Sequence, residues 1–144
     1  MIIAYQSDEE LYLAEELLES LSYTGIGGKK NSGMGKFQFR KGKPSPELEK
    51  RLCEKSSKNI LISTALPMES ELEIALEGAS YLLEKRSGFV ASVDYAPEWR
   101  KKKDLYVFAP GSCFVNRFSG DIYDVSDGGN HAVYRYAKAL FLGV

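Results

Sequence analysis

The stretch "TGIGGKKNSGMGKF", residues 24–37, places five glycines, three lysines and no acid in fourteen residues. Each glycine inside a helix costs about 1 kcal/mol relative to alanine, and a strand loses side-chain packing wherever one falls. No regular element crosses such a run. The chain must therefore fold as elements on either side of a long loop. On the N-terminal side, Ser7 precedes Asp8, Glu9 and Glu10. Ser with Glu three residues on is a capping box, and acids in a first turn suit the helix dipole. Leu11, Ala14, Leu17, Leu18 and Leu21 follow at helical spacing, which predicts a helix ending near Ser22. Ahead of it "IIAY", residues 2–5, reads as a strand. Beyond the loop "KFQFR" alternates Phe37 and Phe39 with polar neighbours, again as a strand.

Further along, Ser45 and Pro46 open a short helix on which Leu48 and Leu52 share a face. "NILISTALP" reads as a buried strand closed by Pro67. "MESELEIALEG" reads as an acidic helix stopped by Gly78, and "SYLLEKRSGFVAS" as a long strand bent at Gly88. These elements spell β-α-β-β-α-β. That order predicts an α+β, ferredoxin-like (RRM-like) domain: an antiparallel sheet with two helices on one face. "DLYVFAP", "SCFVNRF" and "DIYDVSD", divided by turn signals, add C-terminal strands. The last run, "HAVYRYAKALFLGV", fits strand or helix, with Val133, Tyr134 and Tyr136 favouring strand.

A length of 144 residues suggests a single domain, 1–144. No window approaches the ~20 apolar residues of a membrane span. The first residues carry no basic region followed by an apolar one, so they do not read as a signal peptide. Cys53 and Cys113 lie far apart and only one His is present, which gives no zinc spacing and suits reduced thiols in the cytoplasm. No cofactor or metal is expected.

The net charge of −1 conceals an uneven distribution. The first helix bears six acids and no base, whereas residues 29–58 carry ten Lys or Arg against three Glu, and "RKKK" follows at residues 100–103. A polyanion meets this local potential rather than the total. Glycine-rich loops bind phosphates because backbone amides approach an anion unobstructed. The Walker pattern fails here: Lys30 stands where its first Gly belongs and Phe37 where Ser or Thr belongs. The dinucleotide fingerprint fails at Lys30 as well. Both also need strand, loop, helix, and this loop runs helix, loop, strand. What remains suits several phosphates in a row, as in a single-stranded nucleic acid. A mobile connection kept soluble by Lys is the alternative reading of the same residues.

The segment "GIGGKKNSGMGKF" resembles the glycine-rich loop of the RAMP superfamily, the RNA-binding subunits of CRISPR systems. With "YLLEKRSGFV", "KKDLYVFAPGSCF" and "HAVYRYAKALFLGV" it is similar to the C-terminal domain of subunit four of the type III-A (Csm) effector complex. The resemblance runs from about Leu11 to the end of the chain. It implies two ferredoxin-like domains in a longer chain, of which the second is the one expected here. It further implies a non-catalytic subunit that holds the 5′ handle of the CRISPR RNA and touches a large palm-domain subunit and a backbone subunit. Carried onto this sequence, Gly25, Gly27, Gly28, Lys29, Lys30, Asn31, Ser32, Gly33, Gly35 and Lys36 would lie along the handle. Lys85, Arg86 and Ser87 form a second candidate contact, and Gly111 and Ser112 a weaker one that a tight turn explains equally well. Met34 is expected to pack beneath the loop, with a wedge against a base as the alternative.

Some RAMP relatives cut CRISPR repeats with a His, so an endoribonuclease using His131 is the rival reading. His131 sits in a Gly-Gly-Asn turn with no second base marked by spacing, and Glu69, Glu71, Glu73 and Glu77 fit a solvated helix face. A non-enzymatic protein is therefore expected. A third reading is an assembly module that docks neighbouring subunits without touching RNA.

Overall fold

A computed structural model describes residues 1–27, 32–90 and 92–144. The chain divides into two compact units, Met1–Lys43 and Pro44–Val144. In the first, helix α1 spans Asp8–Thr24. Its start follows the capping box: the Glu10 amide donates to Ser7 Oγ at 3.3 Å and the Glu10 carboxylate accepts from the Gln6 amide at 2.7 Å. Its end is set by Gly25, whose φ of 82° lets the chain leave the helix while its amide donates to the Leu21 carbonyl at 2.8 Å. No residue of α1 is buried.

Residues 2–5 and 36–40 belong to no ladder, contrary to the strands expected there. The physical reason is that alternation marks which face a strand would bury, whereas a strand exists only where a neighbour takes its amides and carbonyls. Without those two strands the β-α-β-β-α-β order is not formed among the described residues. The observed architecture is a mixed one of three helices and antiparallel sheets.

In the second unit, α2 (Pro46–Cys53) begins as expected, with the Leu48 amide on Ser45 Oγ at 3.3 Å and Pro46 at the first helical position. Strand β1 (Asn59–Leu61) is central to a three-stranded sheet. The rest of "NILISTALP" leaves that sheet, and Ala65 bridges Phe108 instead. Helix α3 (Glu69–Leu76) has Met68 at its N-cap, which offers no side-chain acceptor there; the Glu71 carboxylate reaches back to the Met68 amide at 3.0 Å.

Strand β2 (Leu83–Arg86) pairs antiparallel with β3 (Leu105–Phe108), Leu83 opposite Phe108 and Arg86 opposite Leu105. The long strand expected around it is shorter. It breaks before Gly88, whose φ is 142°, and resumes only as a bridge from Phe89 to Lys101. Strand β4 (Cys113–Phe114) lies on one side of β1, and β7 (Phe141–Gly143) on the other, with Leu61 opposite Phe141. Strands β5 (Gly120–Asp124) and β6 (Tyr134–Lys138) form a separate ribbon with Ile122 opposite Tyr136. The ambiguous C-terminal run is thus two strands in different sheets. The corner between them is held by the Ala139 amide on Ser119 O and the Leu140 amide on Ser63 Oγ, each at 2.9 Å.

The core of this unit gathers Leu61, Ala65, Ala75, Phe108, Phe114, Phe118 and Phe141. Its rings meet edge to face, Phe114 on Phe118 at 5.2 Å and Phe118 on Phe141 at 5.1 Å. Such pairs contribute roughly 0.5–1.5 kcal/mol each beyond their buried area. A polar hub adjoins them. Asn59, 1% exposed, donates to the carbonyls of Ser56, Phe114 and Val115, and its Oδ1 accepts from Arg117 Nε at 2.7 Å. The rest of that guanidinium covers carbonyls of Arg51, Leu52 and Glu54 at the end of α2, so one side chain ties α2 to β1. No described helix is long and apolar enough to cross a membrane.

Candidate nucleic-acid interface

The glycine loop is pinched at its base. The Ile26 amide donates to the Gly35 carbonyl at 3.0 Å, and the Phe37 amide to the Ser22 carbonyl at 3.4 Å. The neck is possible only for glycine. A Cβ on Gly25 would stand 2.9 Å from the Met34 carbonyl oxygen, and one on Gly35 would stand 2.1 Å from that of Ile26. Both have positive φ, 82° and 85°. Gly27 and Gly33 share that backbone region (φ 102° and 77°), yet among the described residues a Cβ on either would meet nothing within 4 Å. The glycines therefore divide by role: Gly25 and Gly35 close the neck, while Gly27 and Gly33 leave bare backbone facing open space.

Ser32, Gly33, Met34, Gly35 and Lys36 are all exposed. Met34, at 60% exposure, does not pack beneath the loop as expected. Gly28, Lys29, Lys30 and Asn31 lie outside the described residues. Below the neck, the end of α1 and the segment after the loop border a wide, open groove lined by Glu19, Ser22, Tyr23, Lys36, Phe37, Gln38, Phe39 and Arg40. Sequence reading assigned "KFQFR" to a half-buried strand and placed Arg40 in a basic run, but did not foresee Phe37 and Phe39 lining a groove. Their signal was the alternation itself, which says that one face is apolar but not what covers it.

Lys85, Arg86 and Ser87 lie on and just after β2. Lys85 Nζ sits 2.8 Å from Asp104, whose carboxylate also receives Lys101 at 3.0 Å. The Lys85 hydrogen bond, seconded by that of Lys101, holds the Asp104 carboxyl below its ordinary range, and the same bond pushes the Lys85 ammonium up. A phosphate at Lys85 would therefore compete with an existing carboxylate. Arg86 Nη2 is 3.5 Å from Glu84 and is less committed. Gly111 and Ser112 are structural: the Gly111 amide donates to Leu61 O at 2.7 Å, and Ser112 is buried, its hydroxyl donating to Ala109 O and accepting from the Leu82 amide.

His131 is held locally. Its Nδ1 lies 2.9 Å from the Ala132 carbonyl and its Nε2 3.2 Å from Ser92 Oγ. With Nδ1–H donating to the carbonyl, Nε2 accepts from the serine hydroxyl. The ring also stands edge-on to buried Tyr95 at 5.2 Å, and the Tyr95 hydroxyl accepts from the Asp127 amide at 2.6 Å. These contacts brace the turn that carries His131.

Each unit has its own character: the first carries a helix-borne, glycine-necked loop, and the second is a small antiparallel α/β domain. Residues 54–144 match the family model described as the CRISPR Csm4 C-terminal domain, and the chain belongs to that family. Across 143 residues, 99% of this chain, it is 44% identical to "CRISPR system Cms protein Csm4" of Mycobacterium tuberculosis strain H37Rv. A relative of the same name in Streptococcus thermophilus is 44% identical over 142 residues, 97% of this chain. In both cases the match covers 46% of the relative, so the chain spans about half the length of the relatives it resembles.

Proposed function

We propose that this chain acts in a type III-A CRISPR effector complex as part of a non-catalytic, cytoplasmic, ferredoxin-like subunit that holds the 5′ handle of the CRISPR RNA. The loop of residues 25–36 lies along the handle. Its tip amides and Lys29, Lys30, Asn31, Ser32 and Lys36 meet phosphates and sugars, contacts that position RNA without reading bases. Arg86 and Ser87, with Lys85 once drawn from Asp104, supply a second contact. The neighbouring surfaces belong to the large palm-domain subunit and the backbone subunit. The observation that carries this reading is the pair of open glycines, Gly27 and Gly33, presented above a closed neck. A connection that merely spanned two elements would not need the closed neck. Family membership supports the CRISPR context.

The test is filter binding to handle RNA. Lys29→Glu with Lys30→Glu weakens binding and flattens its salt dependence by about 1.4 powers of salt, about 0.7 for each phosphate of a single strand no longer neutralised, with the circular dichroism unchanged. Equal affinity for variant and parent refutes the loop assignment. One observation favours the assembly reading: Ile122, Tyr134 and Tyr136 lie exposed on one face of the β5–β6 ribbon. If no RNA binds even at low salt, that reading replaces ours.

A further inference from the structure

The basic run "RKKK" is uniform as a sequence, but the fold sorts its lysines. Lys101 joins Lys85 on the Asp104 carboxylate, at 3.0 and 2.8 Å. Asp124 is held below its ordinary range by hydrogen bonds from Ser126, then by the Val133 amide and the Lys103 ammonium beside it. Lys102 has no such acid: among the described residues it makes no ion pair. Its position is fixed all the same. The Lys102 amide donates to Gly88 O at 3.0 Å, and its Cε lies 3.5 Å from where a Cβ on Gly88 would stand. The Lys103 amide donates to Val125 O and the Val125 amide to Val133 O, each at 2.8 Å, which lays this segment against the end of the β5–β6 ribbon. The charge that acts on Lys102 there is Arg135, which stands opposite Tyr123 on β6. Both side chains are half-buried. Burial, and after it the Arg135 charge, pushes the Lys102 ammonium below its ordinary range. Arg135 lacks an ion pair as well. Asp121, on its face of the ribbon, accepts from the Ile122 amide, and Asp124 lies on the opposite face. Two half-buried cations thus oppose each other with no anion between them, an arrangement that disfavours the charged forms.

We infer that Lys102 and Arg135 form a phosphate site between the β2–β3 hairpin and the β5–β6 ribbon, filled by one phosphate group of a bound RNA strand. The guanidinium offers a planar fork of donors and the ammonium a point charge. The oxygens of a tetrahedral phosphate point in different directions and can accept from both at once. A carboxylate holds its two oxygens in one plane and is satisfied by a guanidinium alone. Partial burial shields both contacts from salt, so one bound anion relieves the repulsion more than it would at an open surface. The site reads no base; like other phosphate contacts it sets position. Gly88 directly follows Arg86 and Ser87, so the site extends the second RNA contact proposed above, and the identity of its ligand as RNA rests on that reading. The affinity of the two cations for phosphate itself does not.

The experiment follows the NMR signals of Lys102 Cε and Arg135 Nε in the full 144-residue chain during titration with inorganic phosphate, a single-stranded oligouridylate and oligoglutamate, with chloride holding the ionic strength constant. Phosphate and oligouridylate shift both signals saturably and oligoglutamate does not. With phosphate bound, the titration of Lys102 moves up toward the ordinary lysine range. Lys102→Met removes the Arg135 response and lowers the salt slope of oligouridylate binding by about 0.7, with the amide signals of β5 and β6 unchanged. If that variant does not fold, the titrations of the parent decide alone. Absence of a saturable phosphate shift at Lys102 and Arg135 overturns the inference. An equal response to oligoglutamate also overturns it and makes the site a contact for acidic protein. A phosphate response without any RNA binding upholds the two-cation site and removes the proposed function. RNA binding that leaves both signals unmoved does the reverse.

Discussion

Replacing Gly35 with alanine should open the neck of the glycine loop, and the size of the effect follows from its geometry. The new Cβ would lie 2.1 Å from the Ile26 carbonyl oxygen, backbone against backbone, so no side-chain rotation relieves it. The φ of 85° adds about 1–2 kcal/mol for an L-residue in the left-handed region. Separation of Ile26 from Gly35 forfeits a hydrogen bond worth about 1 kcal/mol. The closed loop thus loses about 2–3 kcal/mol relative to open forms. If RNA binds the closed form, affinity falls about 30- to 150-fold, since the competent fraction falls by that factor. Filter binding at low salt reads the affinity, and NMR exchange of the Ile26 amide reads the neck. Gly33→Ala carries backbone strain of about 1–2 kcal/mol without a clash and should cost about 5- to 30-fold. Gly42→Ala, where a Cβ meets nothing and φ is ordinary, should change neither quantity. If Gly35→Ala binds RNA as Gly42→Ala does while Ile26 exchanges freely, loop closure has no part in binding.

Other outcomes follow from the second unit. Arg117→Met should destabilise it by about 2–3 kcal/mol, because Asn59 Oδ1 loses a charged donor and the end of α2 loses its cap; urea unfolding measures this, and a loss under about 0.5 kcal/mol would refute the hub. Burial pushes the Glu71 carboxyl up, but the amides of Ser119, Met68 and Gly120 outweigh it and hold the group below its ordinary 4.5. The unfolded chain therefore binds the proton more readily, so this contribution is complete above pH 4.5 and is lost as pH falls through the lower folded value. Glu71→Gln should flatten that part of the stability profile, and an identical acid limb in the variant would refute the assignment. Repeat RNA should survive incubation with the parent and with His131→Ala alike, and cleavage abolished by that substitution would reinstate the endonuclease reading.

The helices were legible because their signals are local. Ser7 with Glu10, and Ser45 with Pro46, mark starts whose hydrogen bonds close within four residues, and Gly25 marks an end by backbone freedom alone. The glycine loop was legible for the same reason, but the division of its glycines was not, since spacing cannot show that a Cβ on Gly35 meets Ile26 while one on Gly33 meets nothing. The strands lay further from reach. Asn59 and Arg117 are separated by 58 residues, and nothing in either neighbourhood announces their bond. "HAVYRYAKALFLGV" fits strand or helix by sequence, yet it forms two strands in different sheets because their partners, β5 and β1, stand in different places. In "IIAY" and "KFQFR" propensity found no partner and produced no strand.

Sequence alone determined where α1 and α2 begin, where glycine interrupts the chain and which family its motifs resemble, because each depends on residues adjacent along the backbone. Tertiary structure alone decided which extended segments became strands, which glycines stay open and that the core lies wholly within residues 44–144. Those outcomes depend on what stands across from a residue in space, and a strand or a bare amide acquires its role only from that neighbour.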